Sequence, residues 1–418
     1  IFNIVCFHLL QPLSIQLYHI QYKYAIHIVS LFCIIYLQRQ IDLLILLVLR
    51  IFMKKDERFK NLTLAEKARL VQGTDFMYTC PVERLGIPPV AMADGPHGLR
   101  KQIGGGDNGV SSSEPATAFP TAAAVACSWD PENAHRMGAA IGEECRCYGV
   151  HTLLGPGINI KRNPLCGRNF EYYSEDPFVT GTTATAVILG VQSRNVGVMI
   201  KHFALNNRET NRKNCDSVCS EKAIREIYLK GFEMAVKNAN PWSVMSSYNK
   251  INGVYSSENR ELLTDILRTE WGFEGFVSTD WENLAAKGLE IQAGNDISMP
   301  VGDEASLVAA YSLGLVQKQD LYTAAERILR TVLKSTAMEH LVNPPCEIIP
   351  ADGSALRIKA VDWVSKADRK RGLRRHRRRL QPQIHRNQRL PHLSGGGKRG
   401  WDLFLLLSAG FAQWAGCL

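Results

Sequence analysis

Between Met53 and about Met338 the apolar residues fall into two alternating rhythms. Short apolar runs that read as buried strands are "PVAMAD" (89–94), "GVHTLLGPG" (149–157), "NVGVMIKHF" (195–203), "PWSVMSSY" (241–248), "GFVSTD" (275–280) and "GNDISMP" (294–300). Amphipathic runs of helical period lie between them, among them 131–149, 221–239 and 259–272. Pro131 and Pro177 sit near helix starts, where a missing N–H costs nothing. "SSENRELL" places Ser256, Ser257 and Glu258 ahead of an apolar period, as a capped start does.

Strand followed by helix, repeated over this length, calls for a parallel sheet covered by helices. An open doubly wound sheet and a closed barrel both meet that description. The positions of the polar residues separate them. Asp94, Arg162, Lys201 with His202, Tyr248 and Asp280 follow the C-terminal ends of at least five strand runs. A barrel gathers all such ends round one mouth, whereas an open sheet gathers them only at its strand-order switch. The expected fold class is therefore α/β, a (β/α)8 TIM-like barrel over residues 53–342. "IGGGDNG" (103–109) lacks the Lys-Ser/Thr of a phosphate loop and the dinucleotide pattern, so it reads as a mobile loop.

Charge changes the picture only at the ends. The formal net charge is +9, yet residues 361–400 hold 13 Lys or Arg against 2 Asp, and residues 53–360 sum to −3. The basicity belongs to a tail, 343–418, whose composition cannot supply a core and which is expected to be disordered. Bulk charge of this kind can bind nucleic acid, but no specific nucleic-acid partner is expected. The tail's abrupt change of character near Asn343 also fits a shifted reading frame. Residues 1–52 form an atypical hydrophobic extension. The uncharged window 24–38 is shorter than the roughly 20 residues needed to span a bilayer. Translation upstream of a start at Met53 is the preferred reading, with a weak membrane anchor as the alternative. No export region follows Met53, and the 11 cysteines are odd in number without zinc-site spacing, so a reducing, cytoplasmic setting is expected. No cofactor and no metal are expected.

Several clusters can carry chemistry. Asp94 stands in "ADGPHGLR", a tight turn that can present its carboxylate to two hydroxyls of a polyol, or simply close an Asx turn. "GPGINIKRNPLCGRNFEYYSEDP" (155–177) collects Lys161, Arg162, Arg168, Glu171, Glu175 and Asp176, either as a salt-bridged loop or as a wall of a binding pocket. Lys201 and His202 are consecutive in a strand, so both reach one pocket only if the strand bulges there. Asp280 ends a buried run. A free carboxylate there can attack an electrophilic carbon, with flanking cations keeping it ionised and Trp281 offering a face to a sugar ring. On local grounds alone, Asp280 would instead cap the following helix.

Taken together, "MADGPHGLR", "LLGPGINIKRNPLCGRNFEYYSEDP", "KHFALNNRETNR", "VMSSYNKINGVYSSENRELLTDILRTEWGFEGFVSTDW" and "AGNDISMP" resemble glycoside hydrolase family 3, β-glucosidase branch, in family order over about residues 56 to 338. The resemblance implies a barrel domain acting on a small β-glucoside or oligosaccharide. It implies Asp280 as catalytic nucleophile, and Asp94, Arg162, Lys201, His202 and Tyr248 as residues holding the reacting sugar. Trp281 is similar to the family's aromatic residue beside the nucleophile, and Arg168 and Glu175 resemble supporting loop residues. Arg208 departs from the commoner "NNQETNR". The His-Asp pair of the family's N-acetylglucosaminidases has no counterpart in "KHFALNNRETNRKNCDS". In glucosidase members the acid/base glutamate lies in a following sandwich domain. The residues after Val342 do not continue in that pattern, so the acid/base is unassigned and impaired hydrolysis is expected. Self-association through exposed barrel surface, and a sugar-binding pseudoenzyme or a basic-tail module as alternative functions, complete the expectations.

Overall fold

The computed structural model describes residues 57–95, 97–103 and 112–339, together with the backbone of 348–351 and 355–358. The chain divides into two units, 1–62 and 63–418. The described part of the first is the helix Glu57–Asn61 with Leu62. The hydrophobic extension 1–52 and the basic run 361–400 lie outside the described residues. Within the tail expected to lack ordered elements, Ile348–Ala351 and Ala355–Ile358 pair as an antiparallel hairpin.

The second unit is built on five parallel strands that lie side by side in chain order: β1 (Met92–Asp94), β2 (Thr152–Leu154), β3 (Gly197–Phe203), β4 (Ser243–Ser246) and β5 (Phe276–Thr279). Every residue of β2 to β5 is buried, as a parallel sheet with both faces covered requires. Each strand falls inside an apolar run read from the sequence. The sixth run, 294–300, contributes single bridges instead. Ile297 pairs with Ser278 of β5, and Ser298 pairs with Gln72. Gly73–Thr74 then pairs with Tyr78–Thr79, and Tyr78 bridges antiparallel to Ala91 just before β1. Hydrogen-bonded backbone thus leads from β5 back to β1, but through short and partly reversed pieces. A regular eightfold repeat of strand and helix is not what the described residues form.

Local sequence accounts for the covering helices. Helix α1 (Pro131–Cys147) opens on Asp130, whose side chain accepts from the Asn133 N–H at 3.0 Å. Helix α2 (Pro177–Gln192) opens on Asp176, which accepts from the N–H groups of Phe178 and Val179, both at 2.8 Å. Both carry proline in the first turn, as expected. The runs 221–239 and 259–272 are helical but not uniformly α, since Ile224–Tyr228 and Glu261–Glu270 are π-helical. The cap in "SSENRELL" is Asn259, whose side chain accepts from Leu262 N–H at 3.0 Å. Ser256–Glu258 forms a 3-10 turn ahead of it.

Helices α1 and α2 touch through glycine. A Cβ at Gly190 would lie 2.2 Å from the His135 carbonyl oxygen, and one at Gly138 would lie 2.3 Å from that of Val187. Both obstacles are backbone, which cannot step aside without moving a helix. Gly190→Ala is expected to destabilise the domain by about 1–3 kcal/mol, the usual cost of overpacking. Urea unfolding checks this, and an unchanged midpoint would show that the helices separate freely.

Candidate active site

A cavity of about 170 Å3 opens where the five strands end. Asp94 closes β1, Leu154 closes β2, and Lys201 and His202 lie near the end of β3. Met245 belongs to β4, Tyr248 follows it, and Asp280 and Trp281 follow β5. All of these line the cavity, with Phe76, Met77, Gln102, Arg168 and Arg212. The pairing of β3 with β4 explains how two consecutive residues face one space. Ile200 opposes Val244 and Phe203 opposes Ser246, so Lys201 and His202 stand against Met245 alone. That is a bulge, two residues against one.

Asp280 is 8% exposed. Its N–H donates to the Ser246 carbonyl at 3.2 Å, and its Oδ1 accepts from the Trp281 N–H at 2.8 Å. Oδ2 has no hydrogen-bond partner among the described residues and lies 3.7 Å from His202 Nε2. Capping is ruled out, because residues 281–284 form no helix and the next helix, Lys287–Ala293, is preceded by Ala286. Burial raises the Asp280 pKa above the ordinary carboxylate value. Arg168, the Trp281 amide, Arg212 and Lys201 pull against that rise without cancelling it. The expected cations are therefore present, but burial outweighs them.

An ordered network stands around this carboxylate. Glu171, almost wholly buried, binds the Arg168 guanidinium and lies 3.4 Å from Lys201 Nζ. Lys201 also donates to Asp94 Oδ1 at 3.3 Å. Burial alone would lower the Lys201 pKa, but Glu171 and Asp94 outweigh it and the net direction is upward. Arg168 Nη2 donates to His202 Nε2 at 2.8 Å. Arginine has only donors, so Nε2 must be the acceptor and the ring proton is assigned to Nδ1, which faces Tyr172 Oη at 2.9 Å. Burial, with Arg168, Lys201 and Arg212 nearby, depresses His202 well below the usual imidazole range, consistent with this neutral tautomer. His202 thus holds Arg168, and both its ring nitrogens are engaged.

Aromatic residues also line the cavity. Tyr248 Oη donates to the Trp281 carbonyl at 2.5 Å, and Trp281 Nε1 donates to the Phe76 carbonyl at 2.7 Å. The Arg212 guanidinium lies over the Tyr248 ring, 4.7 Å from its centre.

Asp94, Lys201, His202, Tyr248, Asp280 and Trp281 therefore come together as expected. Arg162 and Glu175 do not: both are exposed and neither lines the cavity. Arg168, expected as loop support, is the arginine of that loop that reaches the wall. Sequence reasoning missed Arg212 as a wall residue and Glu171 as the anchor of both Arg168 and Lys201. Arg212 was visible only as the last residue of "KHFALNNRETNR", and Glu171 only as one charge in a crowded loop. Arg208 is exposed and outside the wall.

Strand-end carboxylate, cation and aromatic wall on a parallel α/β scaffold define a domain of glycoside-hydrolase type. The chain belongs to glycosyl hydrolase family 3: residues 60–331 match the profile described as the glycosyl hydrolase family 3 N terminal domain. It is 51% identical over 277 residues to thermostable beta-glucosidase B of Acetivibrio thermocellus, covering 65% of this chain and 37% of that protein. It is 46% identical over 287 residues to an exo-alpha-(1->6)-L-arabinopyranosidase of Bifidobacterium longum, covering 68% and 38%. Among solved structures, beta-glucosidase 3B from Thermotoga neapolitana in complex with alpha-D-glucose superposes with a TM-score of 0.64 at 42% identity, over 69% of this chain and 43% of that one. A Bifidobacterium adolescentis GH3 beta-glucosidase gives 0.64 at 44% identity, over 73% and 43%. The chain thus spans less than two fifths of the length of these curated relatives.

Proposed function

We propose that this domain is the sugar-binding and nucleophile-bearing part of a retaining β-glycosidase that takes a glucose-like ring. The observation that carries the proposal is Asp280: a buried carboxylate with one oxygen held by backbone and the other unpartnered among the described residues, lining a small polar cavity. Asp280 Oδ2 attacks the anomeric carbon, the bond to the leaving oxygen breaks, and a glycosyl ester forms. Water then displaces the carboxylate and releases the sugar with its configuration retained. Asp94, Lys201, Arg168 and Arg212 supply acceptors and donors for ring hydroxyls, and Trp281 supplies an apolar face. The relatives named as beta-glucosidases, and the neighbour solved with glucose, support a glucose-like substrate. The bridges that lead from β5 back to β1 support reading the sheet as a short, irregular form of the (β/α)8 barrel.

Protonation of a poor leaving group needs a second carboxylic acid. Asp94, Glu171 and Glu209 are each paired with lysine or arginine, which suits them to binding and positioning. We assign the proton donor to sequence outside the described residues. A leaving group that departs unaided removes this requirement. The full chain is therefore expected to release about one equivalent of dinitrophenolate from 2,4-dinitrophenyl 2-deoxy-2-fluoro-β-D-glucoside and then stop, because the fluorine slows ester hydrolysis. Absence of this burst, with glucose still bound, would leave a sugar-binding domain without the proposed chemistry.

A further inference from the structure

In the motif "NNRETNR", Glu209 is the acidic side chain. Glu209 follows β3 in a turn closed by the Arg212 N–H, which donates to the Glu209 carbonyl at 3.1 Å. Its Oε1 accepts from Asn206 Nδ2 at 3.1 Å. Its Oε2 accepts from Arg212 Nη1 at 3.0 Å and lies 3.9 Å from Arg168 Nη1. Glu209 does not line the cavity, whereas both of those arginines do.

We infer that Glu209 is a positioning residue that holds the Arg168 and Arg212 guanidinium groups toward Asp280. The inference rests on the reading of Asp280 as nucleophile. The two arginines depend on Glu209 unequally. Arg168 is also held by Glu171 and His202, and its side chain is 17% exposed. Arg212 has, among the described residues, one side-chain hydrogen bond, that to Glu209, and its side chain is 37% exposed. Without Glu209, stacking on Tyr248 and the longer-range pull of the Asp280 charge would remain, and solvent is open to its charged head. Cation–π contact at such a partly exposed place is worth about 0.5–1 kcal/mol. That is comparable with the rotamer entropy gained on release.

The charged and titratable groups that line the cavity with Asp280 are Asp94, Arg168, Lys201, His202, Arg212 and Tyr248. The groups around Glu209 are Arg168, Arg212 and Asn206, with Tyr172 and Cys166 close enough to feel its charge. Glu209 therefore acts on Asp280 by two opposed routes. Its own charge disfavours the ionised carboxylate, while its grip on Arg212 favours it. Glu209→Ala removes both, and Glu209→Gln removes the charge but keeps an oxygen that Arg212 can bond.

The test is a 13C titration of the Asp280 carboxyl in the full chain, assigned by its loss in Asp280→Asn, alongside the rate of sugar labelling. If Glu209 positions Arg212, the Asp280 midpoint moves up in Glu209→Ala and does not move up in Glu209→Gln. Labelling slows by at least about tenfold in the alanine variant, in line with the cost of misplacing a site group, and the glutamine variant recovers part of the loss. Equal downward shifts in both variants would overturn the inference, since Glu209 would then act only as a charge. So would unmoved midpoints in both, or losses of label that merely follow a fall in melting temperature. A parent chain that takes no label contradicts the nucleophile reading instead, while the titration still decides the role of Glu209.

Discussion

Asp280→Asn abolishes the dinitrophenolate burst and leaves the fold at least as stable as the parent. The first half follows from chemistry, because an amide oxygen at this position cannot form the ester. Loss of a nucleophile costs several orders of magnitude, so the burst rate should fall by at least about 10⁴-fold. The second half follows from burial. Asp280 Oδ2 has no hydrogen-bond partner among the described residues and lies where desolvation raises the carboxyl pKa, so the ionised form strains the native state. A carboxyl whose folded pKa lies above its unfolded value destabilises the fold at pH values above the folded pKa. The penalty fades as pH falls toward the ordinary aspartate range, where both states are protonated. Urea midpoints should therefore favour the asparagine variant at neutral pH, with the advantage shrinking on acidification. A variant that is inactive and much less stable would show that Asp280 supports the fold, which the reading of its free oxygen does not allow.

Glu171→Gln has the opposite signature. Glu171 is buried between Arg168 and Lys201, and the Lys201 side chain is itself 4% exposed. Removing the shared carboxylate leaves Lys201 with Asp94 and Arg168 with the more distant Glu209, two buried cations that have each lost their nearest counter-charge. Breaking a buried pair on one side costs about 3–5 kcal/mol, which for a domain of this size lowers the melting temperature by roughly 10 °C. Burial by itself would raise the Glu171 pKa, but Lys201 and Arg168 outweigh it and hold the carboxyl below its ordinary value. A depressed folded pKa contributes stability that is present above the unfolded value and is lost as pH falls through the folded one. The parent should thus lose stability in acid partly through Glu171, and the glutamine variant should show a flatter acid limb. Thermal melts at neutral and acidic pH measure both effects. A shift of only one or two degrees would mean that the network is looser than its distances imply.

The parts of this molecule that obey a simple period were readable in advance. The apolar runs at 89–94, 149–157, 195–203, 241–248 and 275–280 each hold one strand of the parallel sheet, because a strand covered on both faces is rich in apolar residues. The remaining closure was not readable. Gln72, Tyr78 and Ser298 join the path through isolated bridges, and one-residue pairings leave no pattern. The site divides in the same way. Asp94, Lys201, Tyr248 and Asp280 could be placed because strand ends converge. Arg162 could not be told from Arg168, because an irregular loop carries no period to say which charge turns inward. His202 was visible as a site residue, but its contacts with Arg168 and Tyr172 were not, since only the fold brings those distant residues to its two ring nitrogens. Glu171 and Arg212 act through partners that only the fold supplies.

The measurement closest to the central claim is peptide mapping of the chain after reaction with the fluorinated dinitrophenyl glucoside. Tandem mass spectrometry should place the whole sugar increment on Asp280, with none on Asp94, Glu171 or Glu209. Label on one of those carboxylates, or a chain that binds glucose and takes no label at all, would contradict the assignment of Asp280 as the group that meets the anomeric carbon.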